Sequence, residues 1–115
     1  MKLDSGASKH CFCPCGKEVL TNIRMIQNGS SITLLDGKCL QIQQKGTLPL
    51  HPMVDLRAGD VNIVPHLKSA SLLSVGQFTN FSCTAELSYN SAIIKKAHQP
   101  ISKGYRSFCD GLWDI

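Results

Sequence analysis

A chain of 115 residues has room for one hydrophobic core and not two. With 43% apolar residues, 17% charged residues and a formal net charge of +4, its composition is that of a folded domain, not of a disordered tail or a densely basic nucleic-acid binder. No apolar run approaches the ~20 residues that cross a bilayer, so no membrane contact is expected.

Met1-Lys2-Leu3 leads straight into the polar Asp4-Ser5-Gly6, with no apolar leader. The expected setting is intracellular and cytoplasmic, not secreted. Asp4-Ser5-Gly6-Ala7-Ser8, followed by His10, is the most specific string in the chain. An average chain of this length would contain Asp-[Ser/Thr]-Gly-Ala-[Ser/Thr] only about once in a few thousand cases. Asp, Ser and Gly also build ordinary turns, which is the competing reading. Gly6 admits backbone angles that a side chain forbids. Ser5 and Ser8 carry hydroxyls that can brace a loop or meet a substrate, and Ala7 is small enough for close approach. The motif occurs once. Asp36, Asp55, Asp60, Asp110 and Asp114 fall in turn-like or exposed settings, and none sits in a second such motif.

His10, Cys11, Cys13 and Cys15 follow as a dense group of soft ligands suited to zinc or Cu(I). Cys-x-Cys-x-Cys departs from the usual Cys-x2-Cys spacing, and no second pair lies at a finger-like distance. Incidental cysteines are therefore the stronger reading, and no cofactor is expected. The six cysteines are expected to stay reduced in a cytosolic setting. Cys39 and Cys83 lie in apolar, strand-like runs and read as buried small hydrophobes.

Residues 32–35 and 38–43 read as strands flanking Asp36-Gly37, a two-residue hairpin signal. Leu40 and Ile42 alternate with Gln residues, as in a half-buried strand. Gly46 to Leu50 and Val61 to Val64 are further strands, the second closed by Pro65. Ser69 to Phe78 reads as a short helix capped by Ser69 or Ser71, with Leu72, Leu73, Val75 and Phe78 at near-helical spacing. Cys83 to Leu87 and Ala92 to Lys95 read as two strands joined around Asn90. Lys95, Lys96 and His98, like Lys103 and Arg106, read as solvated faces. Trp113 reads as a packing residue. The pattern predicts a mainly all-β domain, a small antiparallel barrel with one short helix.

Four stretches, in order, resemble the protease region of Copia-type retrotransposon Pol polyproteins, a retropepsin-like β-barrel domain. They are Leu3-Asp4-Ser5-Gly6-Ala7-Ser8-Lys9-His10; residues 32–38, ending in Asp36-Gly37; residues 61–78, containing Val64-Pro65 and Leu72-Leu73-Ser74-Val75-Gly76-Gln77; and Gly111-Leu112-Trp113-Asp114-Ile115. His66 stands where the family has Gly. Cys11-Phe12-Cys13-Pro14-Cys15 replaces a Met/Phe-rich continuation. The family also has a strand upstream of the point where this chain begins.

The resemblance implies a closed, retropepsin-like barrel. Residues 1–78 would form a protease core lacking its N-terminal strand, and 79–115 would complete the barrel or lead toward a pre-integrase segment. Leu72-Leu73 would be the apolar pair that retropepsins place before a helix, with Ser74 where they usually have Gly. Asp4 would be catalytic, with Ser5, Gly6, Ala7 and Ser8 shaping the loop or binding substrate. Asp36 and Gly37 would tip a flap. His10 would pack on or hydrogen-bond the loop, since a carboxylate pair needs no imidazole base. One Asp4 per chain implies a homodimer acting on a polypeptide, the element's own polyprotein, in a cytoplasmic virus-like particle. No direct nucleic-acid binding is implied. The alternatives are a truncated, inactive barrel and a small metal-binding module on Cys11, Cys13 and Cys15.

Overall fold

Short β-prone runs broken by Gly, Pro, Asn and Ser give short strands, and they do so here almost throughout. The computed structural model describes residues 1–26, 31–33, 37, 39–65, 67 and 71–115, without the side chains of Ile32 and Leu40. The strands are β1 (Lys2–Asp4), β2 (His10–Phe12), β3 (Thr21–Met25), β4 (Ser31–Thr33), β5 (Cys39–Gln41), β6 (Gln44–Thr47), β7 (Asp60–Ile63), β8 (Leu72–Ser74), β9 (Cys83–Leu87), β10 (Ser91–Lys96), β11 (Gln99–Arg106) and β12 (Trp113–Asp114). One α-helix, α1 (Val75–Asn80), follows β8 directly, and 3-10 helices occupy Pro14–Val19 and Leu56–Gly59.

Ten strands form one sheet in the order β3-β6-β7-β2-β8-β1-β12-β11-β10-β9. The domain is mainly β, as the composition and turn spacing predicted. The expected closure into a barrel is not found, because the edge strands β3 and β9 do not pair. All five residues of β3 are exposed, and most of β9 is exposed or half-exposed. Ile23 and Met25 of β3 are accordingly left exposed.

The centre of the sheet is its most constrained part. β1 runs parallel to β8, with Leu3 beside Leu73 and Asp4 beside Ser74. On its other edge β1 pairs with β12 through Lys2 and Asp114. Leu3, Phe12, Val61, Ile63, Leu73 and Phe78 meet Cys83, Ala92 and Ile94 in one core.

Several expectations change. The helix predicted for Ser69 to Phe78 begins only at Val75, with Ser74 as its cap. Leu72 and Leu73 are strand residues because β1 and β2 both pair with β8. Ladder bonds plus burial of Leu73 outweigh a helical spacing of apolar residues. Neither predicted cap serves: the Ser71 hydroxyl accepts from the Cys13 N–H at 3.2 Å instead, and Ser69 lies outside the described residues. β4 and β5 do form an antiparallel hairpin, but Thr33 faces Cys39. A two-residue Asp36-Gly37 turn would put Thr33 opposite Leu40, so the register is displaced by one residue. Gly37 takes φ +84°, the left-handed region; Asp36 lies outside the described residues. The two strands seen from Cys83 to Leu87 and around Ala92 to Lys95 form as expected, as β9 and β10.

The cysteine readings change too. Cys13 and Cys15 are joined in a disulfide, their Cα atoms 5.3 Å apart. The 3-10 turn that starts at Pro14 brings them within bonding range. Cys83 is buried as expected, but Cys39 is exposed.

Candidate active site

Asp4 is the last residue of β1, in the interior of the sheet. Buried Leu3 anchors the strand just before it. Asp4 itself is half-buried, and Ser5 and Gly6 are exposed. The chain turns sharply enough for the Gly6 N–H to donate to Asp4 Oδ1 at 2.8 Å. Gly6 does not use a left-handed backbone, since only Gly37 and Gly111 do so among the described glycines. Its value is close approach: a Cβ there would stand 3.3 Å from Asp4 Oδ1. Among the described residues, Asp4 has no ion pair and takes a hydrogen bond only from Gly6.

The far end of the loop is pinned by a buried polar bracket. His10 is fully buried, and its ring lies 4.9 Å from that of Phe78. His10 Nδ1 accepts the Ser74 N–H at 2.8 Å. Nε2 then donates to the Ala58 carbonyl at 2.7 Å. The Ser74 hydroxyl donates to the Ala7 carbonyl at 2.6 Å and accepts the Gln77 N–H at 3.0 Å. Gln77 Oε1 accepts the His10 N–H at 2.8 Å, and Gln77 Nε2 donates to the Asp60 carbonyl at 2.6 Å. Every polar atom in this bracket has a partner, so the loop is held rigidly. Burial pushes the His10 imidazole below its ordinary pKa, against the pull of the Ala58 carbonyl and of Asp60.

Next to Asp4 lies a cavity of about 250 Å³. Asp4 and Ser5 line it, with Leu87 of β9, with Leu112, and with Trp113 of β12. The sequence marked Leu112 and Trp113 within the Gly111–Ile115 stretch but not as lining of a cavity; they arrive because β12 pairs with β1, and Leu87 is brought by β9 at the edge of the same sheet. Trp113 Nε1 donates to the Ser88 carbonyl at 2.9 Å, which fixes the indole. Cys11 stands close enough that burial and the negative charge of Asp4 push its thiol up.

The remaining predicted residues fall as follows. Ala7 contributes its carbonyl to the bracket, and Ser8 is exposed. Gly37 lies in the separate β4-β5 hairpin. His10, Cys11, Cys13 and Cys15 do not assemble as a ligand set: both imidazole nitrogens serve backbone groups, and two of the sulfurs are bonded to each other. Sequence reasoning passed over Gln77 and the Ser74 cap, whose roles depend on the β1-β8 pairing.

An open β-sheet domain with an Asp-Ser-Gly loop at the end of a central strand is the class that these features define. A family described as the Pol polyprotein, beta-barrel domain matches residues 2–83, and the chain belongs to that family. The match takes in β1 through β8, α1 and the Asp4 loop, while β10, β11 and β12 lie beyond it. No curated protein and no solved structure matches the chain.

Proposed function

We propose that this Pol polyprotein module is the aspartic endopeptidase of a Copia-type retroelement, active as a homodimer on its own polyprotein. The observation that carries the reading is the setting of Asp4. A single carboxylate stands half-exposed at the end of a rigid central strand, held by the Gly6 N–H, with Ser5 and Gly6 exposed beside it. That leaves a face on which a twin loop can close.

Two Asp4 carboxyls in contact share one proton, because two like charges that near do not both ionise. The ionised Asp4 takes a proton from water. The protonated Asp4 donates a hydrogen bond to the scissile carbonyl, and the hydroxide attacks that carbon. Collapse of the tetrahedral intermediate breaks the C–N bond, and the proton passes to the leaving amine. The bracket on His10 and Ser74 supports this by fixing the loop, with no imidazole in the proton path.

The test is hydrolysis of a denatured protein substrate at mildly acid pH. Activity is expected to rise more steeply than linearly with enzyme concentration, to vanish in Asp4→Asn and to be blocked by a statine-type inhibitor. Hydrolysis that persists in Asp4→Asn, or a monomer that stays inert at high concentration, defeats the reading; the second outcome leaves a non-catalytic polyprotein module.

A further inference from the structure

A second cleft, of about 540 Å³, is lined by none of Asp4, Ser5 or Gly6. Arg24 of β3 and Asp60 of β7 bring one end of the sheet to it. Leu56 and Arg57 of the second 3-10 helix and Phe81, just past α1, bring the other side, together with Lys9.

Three cations line this cleft against one carboxylate. Both Asp60 oxygens are already engaged, by Arg24 at 2.7 Å and by Lys45 at 2.6 Å. Two positive charges therefore meet one negative charge there. Lys9 adds another positive charge and makes no ion pair among the described residues. Arg57 pairs with Asp55 at 2.8 Å and lies 5.1 Å from the centre of the Phe81 ring. The surplus is positive, yet the lining is not purely ionic. Leu56 is 79% exposed and gives the lining an apolar part beside Phe81.

β3, β6 and β7 are neighbours in the large sheet, and Arg24, Thr47 and Asp60 bring all three to the cleft.

We propose that this cleft docks an extended acidic peptide segment that carries apolar side chains between its carboxylates. The main chain of the peptide lies over the face that β3, β6 and β7 present to the cleft. Its carboxylates meet Lys9, Arg24 and Arg57, and an apolar side chain covers Leu56 and Phe81. Charge complementarity selects the acid, and the apolar surface of Leu56 and Phe81 selects a peptide over a bare anion. Single-stranded nucleic acid fits less well, because the one aromatic ring is already under Arg57 and offers no open stacking platform. The proposal does not depend on the chemistry of Asp4.

The test titrates the capped pentapeptide Glu-Leu-Glu-Leu-Glu into the full chain carrying Asp4→Asn, followed by calorimetry and by amide chemical shifts. Saturable binding is expected, with shifts at Thr21–Met25 and around Lys9 and Arg57. Affinity is expected to fall about tenfold or more in Lys9→Glu/Arg57→Glu and to weaken with added salt. If the double variant is unfolded by circular dichroism, Leu56→Ala and the salt series decide, and each should weaken binding. The idea is overturned by absence of saturable binding, by equal affinity for Lys-Leu-Lys-Leu-Lys, or by full affinity in a folded double variant. It is equally overturned if inorganic phosphate displaces the peptide completely, or if a single-stranded RNA oligomer binds where the peptide does not.

Discussion

The imidazole of His10 accepts the backbone N–H of Ser74 at 2.8 Å, tying the end of the Asp4 loop to the residue that caps α1. With Nδ1 accepting, Nε2 must carry the proton, and it donates to the Ala58 carbonyl at 2.7 Å. The ring is therefore neutral and serves as a spacer between three segments. Asp4 enters the loop from β1 and the chain leaves it through β2, and both strands flank β8. The carboxylate is thus positioned by the sheet on one side and by a buried side chain on the other.

Replacing His10 by Phe keeps the ring volume and the contact with Phe78 but leaves the Ser74 N–H without its partner and the Ala58 carbonyl with only the longer bond from Gln77 Nε2 at 3.3 Å. Two buried backbone groups lose a hydrogen bond, at a cost of about 2–4 kcal/mol. Urea unfolding should show a lower midpoint at unchanged m-value. A loss under about 0.5 kcal/mol would show that the bracket carries little.

The same ring sets a pH dependence. Burial depresses the pKa of His10 from its ordinary value of 6.5; Lys9 pushes the same way, and Ala58 and Asp60 oppose. The unfolded chain then binds a proton that the folded chain refuses. Stability from this group is complete above its unfolded pKa and declines as pH falls below it, at up to about 1.4 kcal/mol per pH unit. The decline ends once pH passes the depressed folded value. His10→Phe should lack this component, so the difference between the two pH–stability curves isolates it. If the two curves run parallel from pH 7 to pH 5, His10 is not the group responsible. Acid conditions favour a shared-proton dyad, so the proposed activity and the stability of its loop pull in opposite directions.

Ser74 is the hub of the bracket, and Ser74→Ala removes both its donation to Ala7 and its cap on Gln77. The expected loss is about 1–2 kcal/mol. The loop should loosen more than the rest of the domain. Hydrogen exchange at Ser5, Gly6 and Ala7 should accelerate beyond what the global destabilisation accounts for; uniform acceleration would contradict the hub role.

What could be read from the sequence divides along physical lines. The Asp4 loop was legible because short-range chemistry demands specific residues at fixed spacing. β7, β9 and β10 were legible because β-branched and apolar residues run between turn formers. β8 was not, because Leu72, Leu73 and Val75 are spaced as a helix spaces them, and only their pairing with β1 makes two of them strand. β11, the longest strand at 8 residues, was invisible for two reasons. Pro100 sits inside it, tolerated where the register shifts between Ile94 and Lys95. The turn before it is made by Ala97 and His98, which carry no turn signal. The cavity wall of Leu87, Leu112 and Trp113 depends on a contact between the two ends of the chain, which local patterns do not encode.

Gly104 of β11 is fixed by close packing. A Cβ there would collide with the carbonyl oxygen of Asp114 in β12. Gly104→Ala should therefore displace β12, which pairs with β1 and carries Trp113 to the Asp4 cavity. A backbone clash of this kind costs about 1–3 kcal/mol or more. Trp113 fluorescence should shift toward that of a solvated indole before global unfolding. If the spectrum and the unfolding midpoint are both unchanged, β12 is not held as described.

The β10-β11 turn is strained by its residues. Lys96 faces Gln99, so Ala97 and His98 form a two-residue connection, and both take positive φ, 51° and 66°. That is the turn for which Asn-Gly is best suited, because its twist matches the strands and glycine carries no Cβ penalty. Each non-glycine residue held in the left-handed region costs about 1 kcal/mol. Ala97→Asn/His98→Gly should relieve most of this and raise the midpoint of thermal unfolding by about 4 °C or more. The turn is remote in sequence from Asp4 and from the His10 bracket, so the pH dependence assigned to His10 should persist in the double variant. A lower midpoint would mean that Ala97 and His98 make contacts worth more than the strain, and that the tightness of this hairpin is set by those contacts instead of by the turn.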